Sequence, residues 1–194
     1  MPLPKPHTEE RYTYADYLTW PDDERWELID GVPYAMSPAP GVNHQRVSRR
    51  LENIFENHLK DKTCEMFHAP FDVRLLDRPG LTDEKIETVV QPDILVVCDK
   101  AKLDERGLNG APDLIVEILS PSTAAHDLKI KFELYQRHGV TEFWVVHPND
   151  QTVLVFRRGD DGFYGRAAMY TASDIVAVPL LGELEIDLKA VFAE

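Results

Sequence analysis

Long apolar runs are missing from this 194-residue chain. No stretch approaches the roughly 18 consecutive apolar residues that a membrane-spanning helix needs, so no membrane association is expected. The opening MPLPKPHTEERYTY is polar and proline-rich and lacks the apolar core of a secretory signal. Cysteine is scarce: Cys64 and Cys98 are the only two, both in apolar surroundings and without C-x-x-C spacing. That pattern predicts two reduced thiols in a cytoplasmic protein, and neither a disulfide nor a zinc site. Positive charge is also short. Thirty-four acids against 21 bases give a formal net charge of −13. The field of such a molecule repels phosphates, which counts against non-specific nucleic-acid binding by the surface at large. The best candidate for a local basic groove is HQRVSRRLENIF, with three arginines, and bound divalent cations would offset part of the local negative charge. No internal repeat, low-complexity linker, helix-turn-helix or zinc module is legible.

What is present reads as one alternating domain over residues 1–194, with a hydrophobic fraction of 43% and length enough for a sizeable core. A short helix is predicted from Thr13 to Trp20. RWELIDGVPYAM follows as a hairpin, turned by Asp30-Gly31. Val47, Leu51, Ile54, Phe55 and Leu59 recur at helical spacing. CEMFHAPFDVRLL is strand-like with a kink at Pro70, and ETVVQPDILVVCDK is a strand interrupted near Gln91-Pro92. DLIVEILS reads as a strand buried on both faces. The next helix is capped by Ser122 or Thr123 and ended by Gly139. EFWVVHP, TVLVFRR and FYGRAAMY are further strands, and ELEIDLKAVFAE is a strand with a last helical turn. The expected architecture is α/β, a mixed sheet with helices packed on it.

One residue breaks the apolar pattern. Glu117 lies inside LIVEILS, where an unpaired carboxylate costs several kcal/mol and so calls for a partner, a proton or a metal. Asp93 stands 24 residues earlier, after Pro92 and before ILVVC, a separation that suits two neighbouring strands. Two carboxylates on adjacent strand ends can hold a hard divalent cation such as Mg²⁺. A lysine beside them would position a water or stabilise negative charge. Of the two lysines on the following helix, Lys129 and Lys131, the second shares the flank of Leu128 and Tyr135 and can reach along its stem toward the strand ends.

Each residue also has a plainer reading. Asp93 after proline is a turn or cap signal. Glu117 could be a buried glutamate paired with an arginine or lysine. Lys131 could form a surface pair with Asp127, four residues before it. Glu27 reads as an exposed hairpin residue, and His44 as a histidine at a helix start. Asp113, in a second Pro-Asp pair, is the weaker ligand: it lies four residues before Glu117 on one strand, about 13 Å away along it.

QPDILVV, PDLIVEILSPST, the D-x-x-x-K-x-x-x-Y of Asp127, Lys131 and Tyr135, GVTEFWVVHP and WELIDGVPYAMSPAPGVNHQRVSRRL together resemble the Uma-two family within the PD-(D/E)xK nuclease superfamily. The resemblance runs from about Tyr14 onward. It implies a restriction-endonuclease-like mixed β-sheet flanked by helices, with an N-terminal hairpin, and Mg²⁺-dependent cleavage of phosphodiesters, with Mn²⁺ able to substitute. By that resemblance Asp93 and Glu117 are metal ligands, the Ile118 carbonyl is a third, and Glu27 matches an acidic position able to complete the site. The lysine of the superfamily pattern would fall at position 119, where this chain has Leu119. In similar members it has moved to the following helix, which here points to Lys131. His44 is similar to a family histidine, with no role assigned. DNA is the implied substrate and a homodimer the implied assembly, because a two-fold protein matches a two-fold duplex site. The alternative is a catalytically degenerate member of the same fold acting as a binding or scaffold module.

Overall fold

In the computed structural model, which describes residues 11–21, 24–36, 41–120 and 124–193, the chain starts with a single-turn helix, α1 (Tyr14–Tyr17). A capping box sets it: the Thr13 hydroxyl accepts from the Asp16 N–H while the Asp16 carboxylate accepts from the Thr13 N–H. β1 (Trp26–Ile29) and β2 (Val32–Ala35) form the expected hairpin. Asp30 and Gly31 both take positive φ, 50° and 73°, the geometry that a two-residue turn between twisted strands demands. In α2 (Val42–Leu59) the buried residues Val47, Leu51, Phe55 and Leu59 recur as the spacing requires.

Two prolines divide what the sequence presents as continuous strands. β3 (Glu65–His68) and β4 (Val73–Arg74) are separated at Ala69-Pro70, and β5 (Val89–Val90) and β6 (Ile94–Val97) at Gln91-Pro92. A proline donates nothing to a ladder. In both cases the chain leaves one sheet there and enters another.

The remaining elements are β7 (Leu103–Asp104), β8 (Gly107–Asn109), β9 (Leu114–Ile118), α3 (Ala124–His138), β10 (Glu142–His147), β11 (Thr152–Arg157), β12 (Ala168–Thr171), β13 (Ile175–Val178), β14 (Leu184–Asp187) and α4 (Leu188–Val191). The principal sheet runs β12-β11-β10-β9-β6-β3; its pairs are antiparallel except β9–β10, which α3 connects as a crossover. A second sheet runs β2-β1-β5-β4-β8-β7, and β13–β14 form a ribbon. Helix α3 ends at Gly139, with φ of 84°. The cap proposed for its start, Ser122 or Thr123, lies outside the described residues.

Alternation along the central strands sorts side chains onto two faces. Ile94, Val96, Leu114, Val116, Ile118, Trp144 and Val146 pack with the apolar stripe of α2, α4 and the β13–β14 ribbon. Leu95, Val97, Ile115, Phe143 and Val145 pack on the other side with Leu134 and Tyr135 of α3. Glu117, two residues beyond Ile115, therefore belongs to the α3 face.

The structure overturns the reading of the cysteines. Cys64 and Cys98 are joined in a disulfide, with Cα atoms 3.9 Å apart. The antiparallel β3–β6 register sets Glu65 opposite Val97, so one step outward the same register sets Cys64 opposite Cys98. With the thiols paired, the expectation of a reducing, cytoplasmic setting loses its basis. Among the described residues, no helix is long and apolar enough to cross a membrane.

Candidate active site

Both carboxylates singled out from sequence sit where β6 and β9 meet. The ladder pairs Ile94 with Val116, and its next step sets Asp93 opposite Glu117. Directly opposed residues of antiparallel strands have Cβ atoms about 4.5–5.5 Å apart. Asp93 Oδ2 accepts the Ile118 N–H at 2.7 Å, which ties the Pro-Asp loop to the end of β9. Asp113, the other Pro-Asp, accepts from the Cys98 N–H at 2.7 Å and has a structural role.

Glu117 Oε1 faces α3. It accepts from Lys131 Nζ at 3.0 Å and from the buried Tyr135 hydroxyl at 2.6 Å. Lys131 and Tyr135 are one helical turn apart, so the K-x-x-x-Y spacing delivers both donors to one oxygen. Lys131 Nζ also lies 3.0 Å from Glu27 Oε1. The ammonium thus bridges a strand of each large sheet, and Leu119, at the usual lysine position, is packed among apolar neighbours of the α3 face. The partner named for Lys131 from sequence, Asp127, has a side chain outside the described residues.

Glu27 departs from the plainer of its two readings. Read as an exposed hairpin residue, it is 6% exposed and also accepts the Gln91 N–H at 3.0 Å. β1 lies inside the second sheet, between β2 and β5, and its paired hairpin gives no local sign of that burial.

His44, near the start of α2, approaches from the opposite face. Its Nε2 is 3.3 Å from Asp93 Oδ2 with the side chain 10% exposed, and its Nδ1 is buried without a partner among the described residues. Burial works against its positive charge, but Asp93, the Ile118 carbonyl and Glu117 outweigh it and raise the histidine above its ordinary value.

The electrostatics are those of a buried acidic cluster partnered by one lysine and one histidine. Burial pushes the Glu117 carboxyl up to about 7; Lys131 pulls it down, while Asp93 and Glu27 add to the rise. Burial opposes the Lys131 charge as well, yet Glu117 and Glu27 overcome it and hold the ammonium well above the ordinary lysine range. The two shifts differ in sign as statements about charge: the lysine is firmly protonated, whereas the glutamate is only half committed to its anion near neutrality. Geometry explains this: Lys131 pairs with both Glu27 and Glu117, and Asp93, paired with His44, adds its repulsion.

Asp93 and Glu117 are the residues that could hold a divalent cation here. Asp93 Oδ1 and Glu117 Oε2 receive no donor from the described residues and are hard oxygen atoms such an ion could use. Among the described residues, no three His, Cys, Asp or Glu side chains form a complete cage. That set suits Mg²⁺, which binds through one or two carboxylates and keeps several waters. Sequence reasoning placed Asp93, Glu117 and Lys131 together. It gave no role to Tyr135, although the spacing from Lys131 carried the signal.

Residues 14–189 match the family model Uma2, described as a putative restriction endonuclease. An uncharacterized protein of Synechocystis, slr1290, is 30% identical over 184 residues, covering 93% of this chain and 88% of that one. A second from the same organism, sll1609, is 29% identical over 130 residues, covering 64% and 67%. A crystal structure of a putative nuclease belonging to DUF820 from Anabaena variabilis superposes with a TM-score of 0.74 at 22% identity, over 94% of this chain and 98% of that chain.

Proposed function

We propose, from the premise that the chain belongs to the Uma2 family of putative restriction endonucleases, that it is a Mg²⁺-dependent DNA endonuclease. One observation carries the reading: Asp93 and Glu117 face each other across β6 and β9, and an α3 lysine stands 3.0 Å from the second. Asp93, Glu117 and the Ile118 carbonyl are the ligands this reading assigns to the ion, with Mn²⁺ able to replace Mg²⁺. A bound ion would polarise the phosphodiester and offset charge building on it.

The side chains divide the remaining work. Lys131 is held protonated, so it donates and does not act as a base. Two of its three N–H groups serve Glu27 and Glu117, and the third, without a partner among the described residues, would orient the attacking water and stabilise the anionic transition state. Tyr135 is a positioning residue: with Lys131 it occupies Glu117 Oε1, which would leave Oε2 for an ion. Glu27 anchors the lysine. A homodimer, each copy cutting one strand, completes the reading, and sedimentation of the protein with a duplex site tests it.

Nicking of supercoiled plasmid in Mg²⁺ or Mn²⁺ is the test. Cleavage by the wild type, abolished in Glu117→Gln and lowered at least a hundredfold in Lys131→Ala, is the expected result. Activity unchanged by both substitutions removes the reading. A second reading, a catalytically degenerate binding module, is favoured by the Lys131 ammonium, which already neutralises part of the acidic cluster. Calorimetry separates the two: Mg²⁺ and Mn²⁺ binding that Glu117→Ala removes supports the enzyme, and no binding by the wild type supports the module.

A further inference from the structure

Helix α2 carries its charges in an order that works against its own stability. Its first half holds Arg46, Arg49 and Arg50 and no acid, whereas Glu52 and Glu56 lie in the second half. The helix dipole favours acids near the N-terminus and bases near the C-terminus. The reversed order is what an anion site at that end of the helix would need.

The surface follows the charge order. Two clefts flank α2. The larger, about 520 Å³, is lined by Glu52, Glu56 and His68 among others, with no lysine or arginine. The smaller, about 310 Å³, is lined by Asn43, Arg46, Arg50, Pro148, Gln151 and Phe192 among others, and no described carboxylate faces it. In a chain with 34 acids and 21 bases, a concave surface lined by two arginines and, among the described residues, no carboxylate runs against the net charge. Arg50 is fixed in place because its guanidinium donates to the carbonyls of Val191, at 3.1 Å, and Ala193, behind α4. Arg46 is exposed and has no ion pair or hydrogen bond among the described residues. Among the described residues, nothing neutralises its charge.

The cleft lies at the same end of the principal sheet as the acidic cluster, on the α2 side, whereas Glu117 and Lys131 lie on the α3 side. His44, which touches Asp93, lies between Asn43 and Arg46 in sequence on α2. Pro148 and Gln151 belong to the β10–β11 connection, at the end of β10 that lies beside the Ile118 end of the parallel strand β9. We propose that this cleft seats the sugar-phosphate backbone next to the cleaved phosphodiester, with Arg46 as the principal phosphate contact. The proposal rests on the nuclease reading above. Arg46 and the preset Arg50 meet phosphate oxygens, the amides of Asn43 and Gln151 offer both donors and acceptors, and Pro148 and Phe192 give an apolar side for the sugar. Nucleic acid is favoured over an acidic peptide because the cleft lies at the same end of the sheet as a carboxylate-lysine centre suited to phosphodiesters.

Fluorescence anisotropy tests it, with a labelled 20-base-pair duplex and the matching single strand, Ca²⁺ in place of Mg²⁺, and salt above 0.1 M. Arg46→Ala is expected to raise Kd about five- to tenfold for any sequence and to reduce the slope of log K against log salt by about one, the signature of one lost phosphate contact. Arg46→Glu is expected to weaken binding further. Lys60→Ala, which removes the same charge beyond the far end of α2, is expected to bind as the wild type does. The exposed position of Arg46 makes misfolding of these variants an inadequate explanation for a loss, and a melting curve checks it. Unchanged affinity and slope in both Arg46 variants, with the wild type binding, overturns the cleft assignment and leaves the carboxylate-lysine centre standing. Failure of the wild type to bind either oligonucleotide sinks both. Equal displacement of the duplex by polyglutamate also overturns the assignment, in favour of an acidic peptide.

Discussion

Glu117 gives the site a pH dependence whose direction can be worked out. Its carboxyl is pushed up to about 7 from an ordinary 4.5, so between those values the folded protein holds a proton that the unfolded chain has lost. Stability contributed by this group is therefore present at low pH and lost as pH rises across that window. Lys131, raised above its ordinary 10.5, adds stability that stays constant over the same range. The metal-free melting temperature is expected to fall by several degrees from pH 4.5 to 7. In Glu117→Gln the fall should be smaller by most of that amount, because the amide does not titrate and still accepts from Lys131 and Tyr135. Circular dichroism melts of the two proteins check this; identical pH profiles would contradict it. Added Mg²⁺ should stabilise the wild type more at pH 8 than at pH 6, since the ion competes with the Glu117 proton. Tyr135→Phe probes the same carboxylate from the other side. Loss of a buried donor to a charged acceptor costs about 1.5–3 kcal/mol, visible in urea unfolding. Such an outer contact also carries roughly 10–100-fold in metal affinity, measurable by calorimetry. A stability loss with unchanged affinity would leave Tyr135 as packing alone.

At the scale of elements, the parts legible in the sequence were those with a local cause. The Asp30-Gly31 turn, the α2 stripe and the doubly buried β9 each carry their own pattern, and all three form as read. The second large sheet was not legible. Its strands β4, β5 and β7 are two residues long, too short for any periodicity, and they exist because backbone partners from distant segments complete them. The same limit hid the disulfide: Cys64 and Cys98 are opposed only because β3 pairs with β6 in one particular register. Asp93 and Glu117 could be matched from spacing, but Glu27 reaches Lys131 through sheet packing that the hairpin pattern does not reveal. The disulfide closes 34 residues of chain, for which loop-closure entropy gives about 3–4 kcal/mol. Reduction, or the Cys64→Ser/Cys98→Ser double variant, is expected to lower unfolding free energy by roughly 2–4 kcal/mol in urea. The spontaneous presence of two free thiols in the native protein, by thiol titration, would contradict the pairing.

The whole molecule sets its net field against its local one. A formal charge of −13 repels a polyanion at every approach, yet the acidic cluster and the Arg46 cleft occupy the same end of the principal sheet. Which field an incoming nucleic acid feels depends on the distance over which charges are screened. That distance is about 30 Å at 0.01 M salt, comparable with the protein itself, and about 8 Å at 0.15 M, comparable with a single side chain and its contact. At the lower salt the approaching duplex meets the summed charge; at the higher it meets only what lies within reach, which in this cleft is two arginines. Ordinary basic nucleic-acid binders lose association rate steadily as salt is added. Here the rate constant for a short duplex, followed by stopped-flow anisotropy in Ca²⁺, is expected to rise between about 0.01 and 0.05 M salt as the repulsion is screened, and to fall above about 0.15 M as the arginine contacts weaken. Arg46→Ala should remove the high-salt fall and keep the low-salt rise, because the repulsion belongs to the molecule and the attraction to the cleft. A rate that falls from the lowest salt onward would mean that the local basic field extends well beyond the two arginines.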